Sequence, residues 1–269
     1  MVTRIVVCVK QVLDPDGLNS FAIAGRLALD DTGRGFRTDI TRIMNAYDEQ
    51  AIEAALRLRD AGLECTIAAI TSGSEEAAGM LRHAMAMGCD ETVLISDPDA
   101  AAADGMRTAR LLAAAIEERG GADLVLCGRQ ASDYDQGVVP AALAELLGTA
   151  YVTVAAGVQL EDGVVTVRRA TPLGEEVVRA ATPVTVTVSN ELGIPRYPTA
   201  QGRMRARRTP PEVREAAGLV AGDGAHLIEL VQLAIPEVQG RCELIEAATP
   251  GEQAAALLAT LRRVGVLGG

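Results

Sequence analysis

The sequence predicts an α/β fold, a mainly parallel sheet with helices on both faces, an antiparallel extension and a C-terminal tail. Three observations predict it. Short apolar runs alternate with segments of helical period from Arg4 to Leu147; the runs are apolar throughout, as strands buried on both faces require; and a long polar turn separates one run, Asp123–Cys127, from the helical stretch Val138–Leu147. With 49% hydrophobic residues in 269, the chain can bury one large core with an appendage. Aromatic residues make up 2% and Trp is absent, so Ala, Val, Leu and Ile must build that core, and stacking platforms for nucleic-acid bases are lacking. The net charge of -11 argues against nucleic acid and against anionic membrane surfaces.

Taken in order, Arg4–Lys10 (RIVVCVK) is a buried first strand. Residues Gln11–Arg42 form an irregular excursion, with turn signals at DPDG and DDTGRG, expected to lie as a hairpin over the sheet edge. Ala46–Ala61 places Ala51, Ile52, Ala55, Leu56 and Leu58 at helical spacing, and Gly62 supplies the stop. Leu63–Thr71 is the second strand. Ser74 is expected to cap a helix through Met87, with Glu75 and Glu76 favourable in its first turn. Glu91–Ser96 is the third strand, Ala100–Glu118 the third helix and Asp123–Cys127 the fourth strand. This rhythm implies right-handed crossovers.

After Leu147 the pattern changes to strands. Tyr151–Val158 and Val164–Arg169 flank LEDG, a hairpin signal, and Glu176–Arg179 and Val184–Val188 continue the sheet. Asn190–Arg208 is polar and turn-rich and contains the concentrated basic cluster RMRARR. Thr209–Leu219 reads as a surface segment and Thr249–Val264 as an amphipathic helix. The expected organisation is therefore an α/β domain over 1–208 and a tail over 209–269. No apolar run reaches a membrane span of roughly 18 residues, and Met1 leads directly into a strand, so the expected location is the cytoplasm. Cys8, Cys65, Cys89, Cys127 and Cys242 show no CxxC spacing and read as buried reduced thiols. His83 and His226 lack a nucleophile or a second ligand at metal-binding spacing, so both read as structural and no metal site is expected. Nor does the chain contain GxGxxG after its first strand, GxxxxGK[ST] or GxSxG, and no side chain is assigned to catalysis.

The turn after Cys127 concentrates Gly128, Arg129, Gln130, Ser132, Asp133, Asp135, Gln136 and Gly137, more hydrogen-bonding capacity than a plain connection needs. In open parallel sheets ligands sit at the carboxyl ends of strands, where a following helix offers free N–H groups to an anion. A nucleotide phosphate suits that place. A solvated polar loop is the other reading.

Four motifs in order, VCVKQV, MNAYDEQAIEAALRL, DLVLCGRQASDYDQG and IPRYPTAQGRMRARR, resemble the beta subunit of electron transfer flavoproteins. The resemblance implies pairing with an alpha subunit that holds most of a redox-active FAD, while the beta subunit holds a second adenine nucleotide: AMP in ordinary carriers, FAD in those that bifurcate the electrons of NADH. Carried over by position, it implies a nucleotide site made by Cys8, by Asn45, Ala46, Tyr47 and Asp48 at a helix start, by Ser72 and Gly73, and by the loop Gly128, Arg129, Gln130, Ala131, Ser132, Asp133, Asp135, Gln136, Gly137 and Val138. Asp48 could equally serve only the helix dipole, Arg129 only a surface ion pair. Asp133 and Asp135, which would repel a bare phosphate, are expected to brace the loop or meet ribose hydroxyls. The resemblance also implies a partner-recognition stretch, with Pro195, Arg196, Tyr197, Ala200, Met204, Arg205 and Arg208 facing a dehydrogenase or quinone-reducing partner.

Two departures shape the expectation. AMP-holding members usually carry Asn-Gln-Thr where this chain reads Gln136, Gly137, Val138, which removes a hydroxyl donor. Their docking leucine is Ala200 here. Both favour FAD and NADH, although the loop reads one residue shorter than in bifurcating members. A stand-alone nucleotide sensor and an NAD-dependent dehydrogenase remain as alternatives; the second lacks the glycine fingerprint and an acid–base residue.

Overall fold

The computed structural model describes residues 2–18, 27–33, 35–100, 103–219, 227–235 and 242–267. The chain runs through β1 (Thr3–Cys8), β2 (Gln11–Leu13), the short helix α1 (Pro15–Leu18), β3 (Leu27–Leu29), β4 (Phe36–Thr38), β5 (Arg42–Met44) and α2 (Ala46–Asp60). It continues through β6 (Cys65–Gly73), α3 (Ala78–Met87), β7 (Glu91–Ser96), α4 (Gly105–Glu118), β8 (Leu124–Gly128) and α5 (Val138–Leu146). There follow β9 (Ala150–Glu161), β10 (Val164–Thr171), β11 (Gly174–Ala181), β12 (Val184–Val188), α6 (Ala200–Arg208), β13 (Glu212–Glu215), α7 (Ala216–Leu219) and α8 (Pro250–Arg263).

Nine strands form the main sheet in the order β11-β10-β9-β12-β8-β1-β6-β7-β13. All pairings from β9 across to β13 are parallel, and β10 alone runs against its neighbours. The expected α/β class is thus the observed one. Period-2 alternation divides the core in two. Ile5, Val7, Ile67, Ala69, Leu124 and Leu126 face α2 and α3, whereas Val6, Cys8, Ala68, Ile70, Val125 and Cys127 face α4 and α5. From β1 the chain moves outward through β6 and β7, then returns to β8 on the other side of β1. The carboxyl ends of β1 and β8 therefore border the point where strand order reverses, the crevice in which open α/β sheets place ligands.

Local chemistry explains the boundaries. Helix α2 ends in a Schellman arrangement: Gly62 at φ +98° donates its amide to the Arg59 carbonyl, and Leu63 donates to Leu58. Asp162 and Gly163, both at positive φ, close the β9–β10 hairpin that LEDG announces. Thr249 and Glu252 make a reciprocal capping box at the start of α8.

Several expectations need correction. Ser74 makes no side-chain cap; a 3₁₀ turn at Glu75–Ala77 precedes α3, which starts only at Ala78. Helix α4 begins at Gly105, where Asp104 accepts the Arg107 amide, later than the Ala100 that its alanine-rich lead suggests. The Gln11–Arg42 excursion forms two small separate ladders, β2–β5 and β3–β4, and not one hairpin. RMRARR is helical: Thr199 caps α6, and Gly202 lets it approach the Ala86 carbonyl on α3. Thr209–Leu219, read as surface, supplies the edge strand β13 alongside β7.

One compact unit extends to Leu233 and a second runs from Ala234 to the C-terminus, so the first unit continues past residue 208. Within the second, α8 buries none of its residues and leaves Leu257 and Leu258 exposed. Cys8, Cys89 and Cys127 are buried free thiols, Cys65 is half-buried, and Cys242 is exposed, against expectation. His83 faces Glu49 at 3.0 Å, while His226 lies outside the described residues. Among the described residues no helix is long and apolar enough to cross a membrane, and no cluster of His, Cys, Asp and Glu could hold a metal.

Candidate functional site

The site is assembled at the carboxyl edge of β1, β6 and β8. Its keystone is Asp48, in the first turn of α2 and only 5% exposed. One carboxylate oxygen accepts the amide of Lys10 at 2.7 Å and the other the amide of Gly128 at 3.0 Å, so one side chain ties the exits of the two central strands to the start of a helix. Burial pushes its pKa up to about 7, against the opposing pull of these donors, of Asn45 and of the Lys10 charge.

Asn45, 1% exposed, occupies the N-cap position of α2 but spends its side chain elsewhere. Its amide nitrogen donates to the Gln130 carbonyl at 2.8 Å, and its oxygen accepts the Ser132 amide at 3.3 Å. The helix start is thus stapled to the β8–α5 loop. That loop is braced further by its own residues. Gln130 donates to Asp135 at 2.6 Å, the Asp135 amide reaches the Ala131 carbonyl at 2.9 Å, and Asp133 pairs with Lys10 at 2.7 Å. Lys10 also lies 5.1 Å from the Tyr134 ring centroid. Asp133 and Asp135 therefore occupy loop-bracing contacts, the first against the Lys10 charge and the second against the Gln130 amide.

What remains unspent is cationic and amide-rich. Among the described residues the Arg129 guanidinium stacks over the Tyr47 ring at 5.3 Å, donates to Gln130 at 3.1 Å and lies within electrostatic reach of Glu191. Gly137 adopts a left-handed conformation, φ +62°, and starts α5 without a side-chain cap. Val138 and Val139 thus present uncapped amides, and Pro140 has none to present. A cation beside an uncapped helix start fits an anion such as a nucleotide phosphate. Ala46, Gln136 and Val138 are exposed along the same edge, Ser72 and Gly73 end β6, and the Cys8 thiol meets that of Cys127 in register across β1 and β8. That contact, together with burial, raises the Cys127 pKa. The structure therefore brings the Cys8, 45–48, 72–73 and 128–138 groups to one edge.

Sequence reasoning missed Lys10, which latches the loop and whose signal was present as a cation immediately after an apolar strand. Gly128, which the resemblance puts in the nucleotide loop, meets the chain's own first helix turn. A Cβ at 128 would lie 2.3 Å from the Asp48 carboxylate and 2.7 Å from the Tyr47 Cβ, so the glycine admits the chain's own helix.

The residues assigned to partner recognition divide in two. Arg196 is turned inward, binding buried Glu53 at 2.7 Å and Asp60 at 2.6 Å, and Arg205 donates to the carbonyls of Met85 and Cys89. Burial alone would raise the Glu53 pKa, but Arg196 and Arg57 outweigh it and hold it below the usual glutamate range. Tyr197, Met204, Arg208 and Ala200 stay exposed, with Pro195 half-buried between them and Ile194, a further exposed apolar residue that the sequence reading passed over.

Comparison with known proteins adds an independent finding. Residues 36–219 match the electron transfer flavoprotein domain family. The chain is 33% identical over 82% of its length to the electron transfer flavoprotein subunit beta of Megasphaera elsdenii, covering 81% of that protein. It is 34% identical over 96% of its length to the caffeyl-CoA reductase-Etf complex subunit CarD of Acetobacterium woodii, covering 98% of it. It is also 36% identical over 77% of its length to the acryloyl-CoA reductase electron transfer subunit gamma of Anaerotignum propionicum, covering 75% of it.

Proposed function

The chain belongs to the electron transfer flavoprotein family, and on that premise we propose that it is the beta-type subunit of a heterodimeric electron carrier, holding an adenine nucleotide at the carboxyl edge of its sheet. The observation that carries the reading is the pairing of Arg129 with the uncapped start of α5 on a loop that Asn45, Asp48 and Lys10 hold rigid. Amides of Val138 and Val139 and the Arg129 guanidinium meet the phosphates; Gln136 and Ser132 are placed to meet ribose hydroxyls. Rigidity matters because donors fixed before binding lose little entropy when the anion arrives.

The favoured nucleotide is FAD. Val138 stands where AMP-holding relatives carry a hydroxyl, and Ala200 stands where ordinary carriers carry a docking leucine. When bound, FAD supplies hydride acceptance from NADH and onward transfer of single electrons to the flavin of an alpha subunit and to a second acceptor. The protein's task is positioning, and Asp133 and Asp135, both committed to bracing, do no acid–base work. The alpha subunit docks on the C-terminal unit, whose α8 leaves an apolar stripe at Leu257 and Leu258 without cover of its own. Tyr197 and Met204 face the dehydrogenase or quinone-reducing partner.

Co-expression with the alpha subunit, followed by chromatography of the nucleotides released on denaturation and anaerobic titration with NADH, tests this reading. Two FAD per heterodimer and bleaching by NADH are expected. One FAD with one AMP and no bleaching would overturn the FAD assignment and return the chain to the ordinary single-flavin carriers; absence of any nucleotide would overturn the site itself.

A further inference from the structure

The chain that leaves β12 arrives at the same carboxyl edge as the β8–α5 loop. Val188 lies in register with Gly128 and its carbonyl accepts the Arg129 amide at 2.9 Å, so the residues after Val188 begin beside Arg129. Ser189 is fully buried and held at its backbone: its amide donates to the Ala155 carbonyl at 3.3 Å, and its carbonyl accepts the Leu192 amide at 3.1 Å. A short 3₁₀ turn over Asn190–Leu192 follows, and Arg57 fixes its end by donating to the Leu192 carbonyl at 2.8 Å. Glu191 is carried on this turn. Its exposed side chain is aimed by the Ser189 hydroxyl, which donates to the carboxylate.

That hydroxyl, helped by the Glu191 backbone amide and by the Arg129 charge, holds the Glu191 carboxyl below the usual glutamate range, so it is ionised at neutral pH. Lys10 and Arg129 are thus both faced by carboxylates of the chain itself. Lys10 pairs with Asp133 at 2.7 Å, and Arg129 lies within electrostatic reach of Glu191. Asp135, bonded to the Gln130 amide at 2.6 Å, adds a further acidic group to the same loop. An edge composed in this way offers an arriving anion a cation and backbone amides but little net positive charge.

We propose that Glu191 is a specificity-determining residue of the nucleotide edge, admitting a nucleotide whose phosphates carry about two negative charges, such as AMP or the diphosphate diester of FAD, and disfavouring a terminal di- or triphosphate. This rests on the nucleotide reading proposed above and adds a limit on charge to it. A site rich in lysine and arginine gains affinity with every phosphate added, because each finds a fresh cation. Here each added charge meets an edge on which Glu191, Asp133 and Asp135 outnumber Lys10 and Arg129, and like charges brought together oppose binding. The order of affinity is therefore AMP, then ADP, then ATP.

Equilibrium dialysis of the full-length chain, freed of bound nucleotide, against AMP, ADP and ATP tests the proposal; chelator in the buffer keeps divalent cations from masking the added phosphates. The three probes share base and ribose and differ in charge. Glu191→Gln, which keeps an acceptor for Ser189 but not the charge, should tighten ATP at least about fivefold more than it tightens AMP. Glu191→Asp, which keeps the charge, should preserve the wild-type order, and urea denaturation of both variants checks that the fold persists. ATP bound more tightly than AMP by the wild type, or an unchanged ratio of the two affinities in a folded Glu191→Gln variant, would overturn the role of Glu191 and leave the nucleotide site standing. Failure of the wild type to bind any of the three would overturn the site, and the role of Glu191 with it.

Discussion

The Asp48 carboxylate accepts the Gly128 amide at 3.0 Å, joining residues 80 apart in sequence, and the glycine's missing side chain is what lets them meet. Its α-carbon faces the first turn of α2 so closely that a methyl group would overlap the carboxylate, the Tyr47 side chain and the Tyr47 backbone. Backbone is among the neighbours, so relaxation is costly. Gly128→Ala should lose roughly 1–3 kcal/mol in urea denaturation, the usual range for overpacking a filled core. A variant as stable as the wild type would show that the helix start yields easily.

The same carboxyl group sets a pH dependence. Its folded pKa, about 7, is raised above the ordinary value of 3.8, mainly by burial, so the folded chain binds more protons than the unfolded chain between these limits. The associated stability is fully present below about pH 4, falls as pH rises toward 7, and is gone above it. A shift of that size corresponds to at most about 4 kcal/mol. Unfolding free energies measured from pH 5 to pH 8 should fall for the wild type, while Asp48→Asn, which cannot ionise, should flatten that slope. A slope identical in the variant would assign the effect to another group.

Much of this architecture was legible because it follows from local rules. The parallel core strands are uniformly apolar, Gly62 and LEDG mark their turns, and the polar surplus between Cys127 and Val138 marks the binding edge. What was hidden depends on contacts remote in sequence. The bonds from Asn45 to Gln130 and Ser132 span at least 85 residues, and no local pattern states that an N-cap asparagine will give its side chain to a distant loop. The helix at RMRARR was hidden for a related reason: six residues with four arginines carry little apolar period, and α6 gains its support from Gly202 and Ala206 lying against α3 and its carbonyls. Likewise Glu212–Glu215 has no buried residue and becomes a strand by pairing with β7.

Arg196 illustrates how a residue in a partner-facing stretch can serve its own chain. It gives buried Glu53 both side-chain and backbone N–H bonds, and Arg57 adds another at 2.9 Å. Removing Arg196 leaves a buried carboxylate short of donors. Arg196→Ala should cost roughly 2–3 kcal/mol, discounted because the arginine remains about one-third exposed. The Arg196→Ala/Glu53→Gln pair should cost less than the sum of the single changes in a double-mutant cycle. Because Glu53 is held below the usual glutamate pKa of 4.5, its contribution is present above that pH and fades as acid is added. Additive losses would mean that Arg57 alone satisfies Glu53.

Arg129 offers the cleanest separation of binding from folding at the nucleotide edge. Its amide is fixed by the Val188 carbonyl at 2.9 Å, a backbone contact that substitution retains, whereas its guanidinium rests on Tyr47 and donates to Gln130, with Glu191 within electrostatic reach. Truncating the side chain therefore removes the cation and leaves Asn45, Asp48 and Lys10 to hold the loop. An exposed cation–π contact contributes about 0.5–1 kcal/mol, so stability should change little. Charge-assisted bonds to a phosphate are worth more, about 1.5–3 kcal/mol, which predicts a loss of nucleotide affinity of at least about tenfold in Arg129→Met. Equilibrium dialysis after nucleotide removal, beside urea denaturation, reads both quantities. Equal affinity in the variant would make Arg129 a surface residue only, whereas equal losses of affinity and stability would make it part of the loop's scaffold.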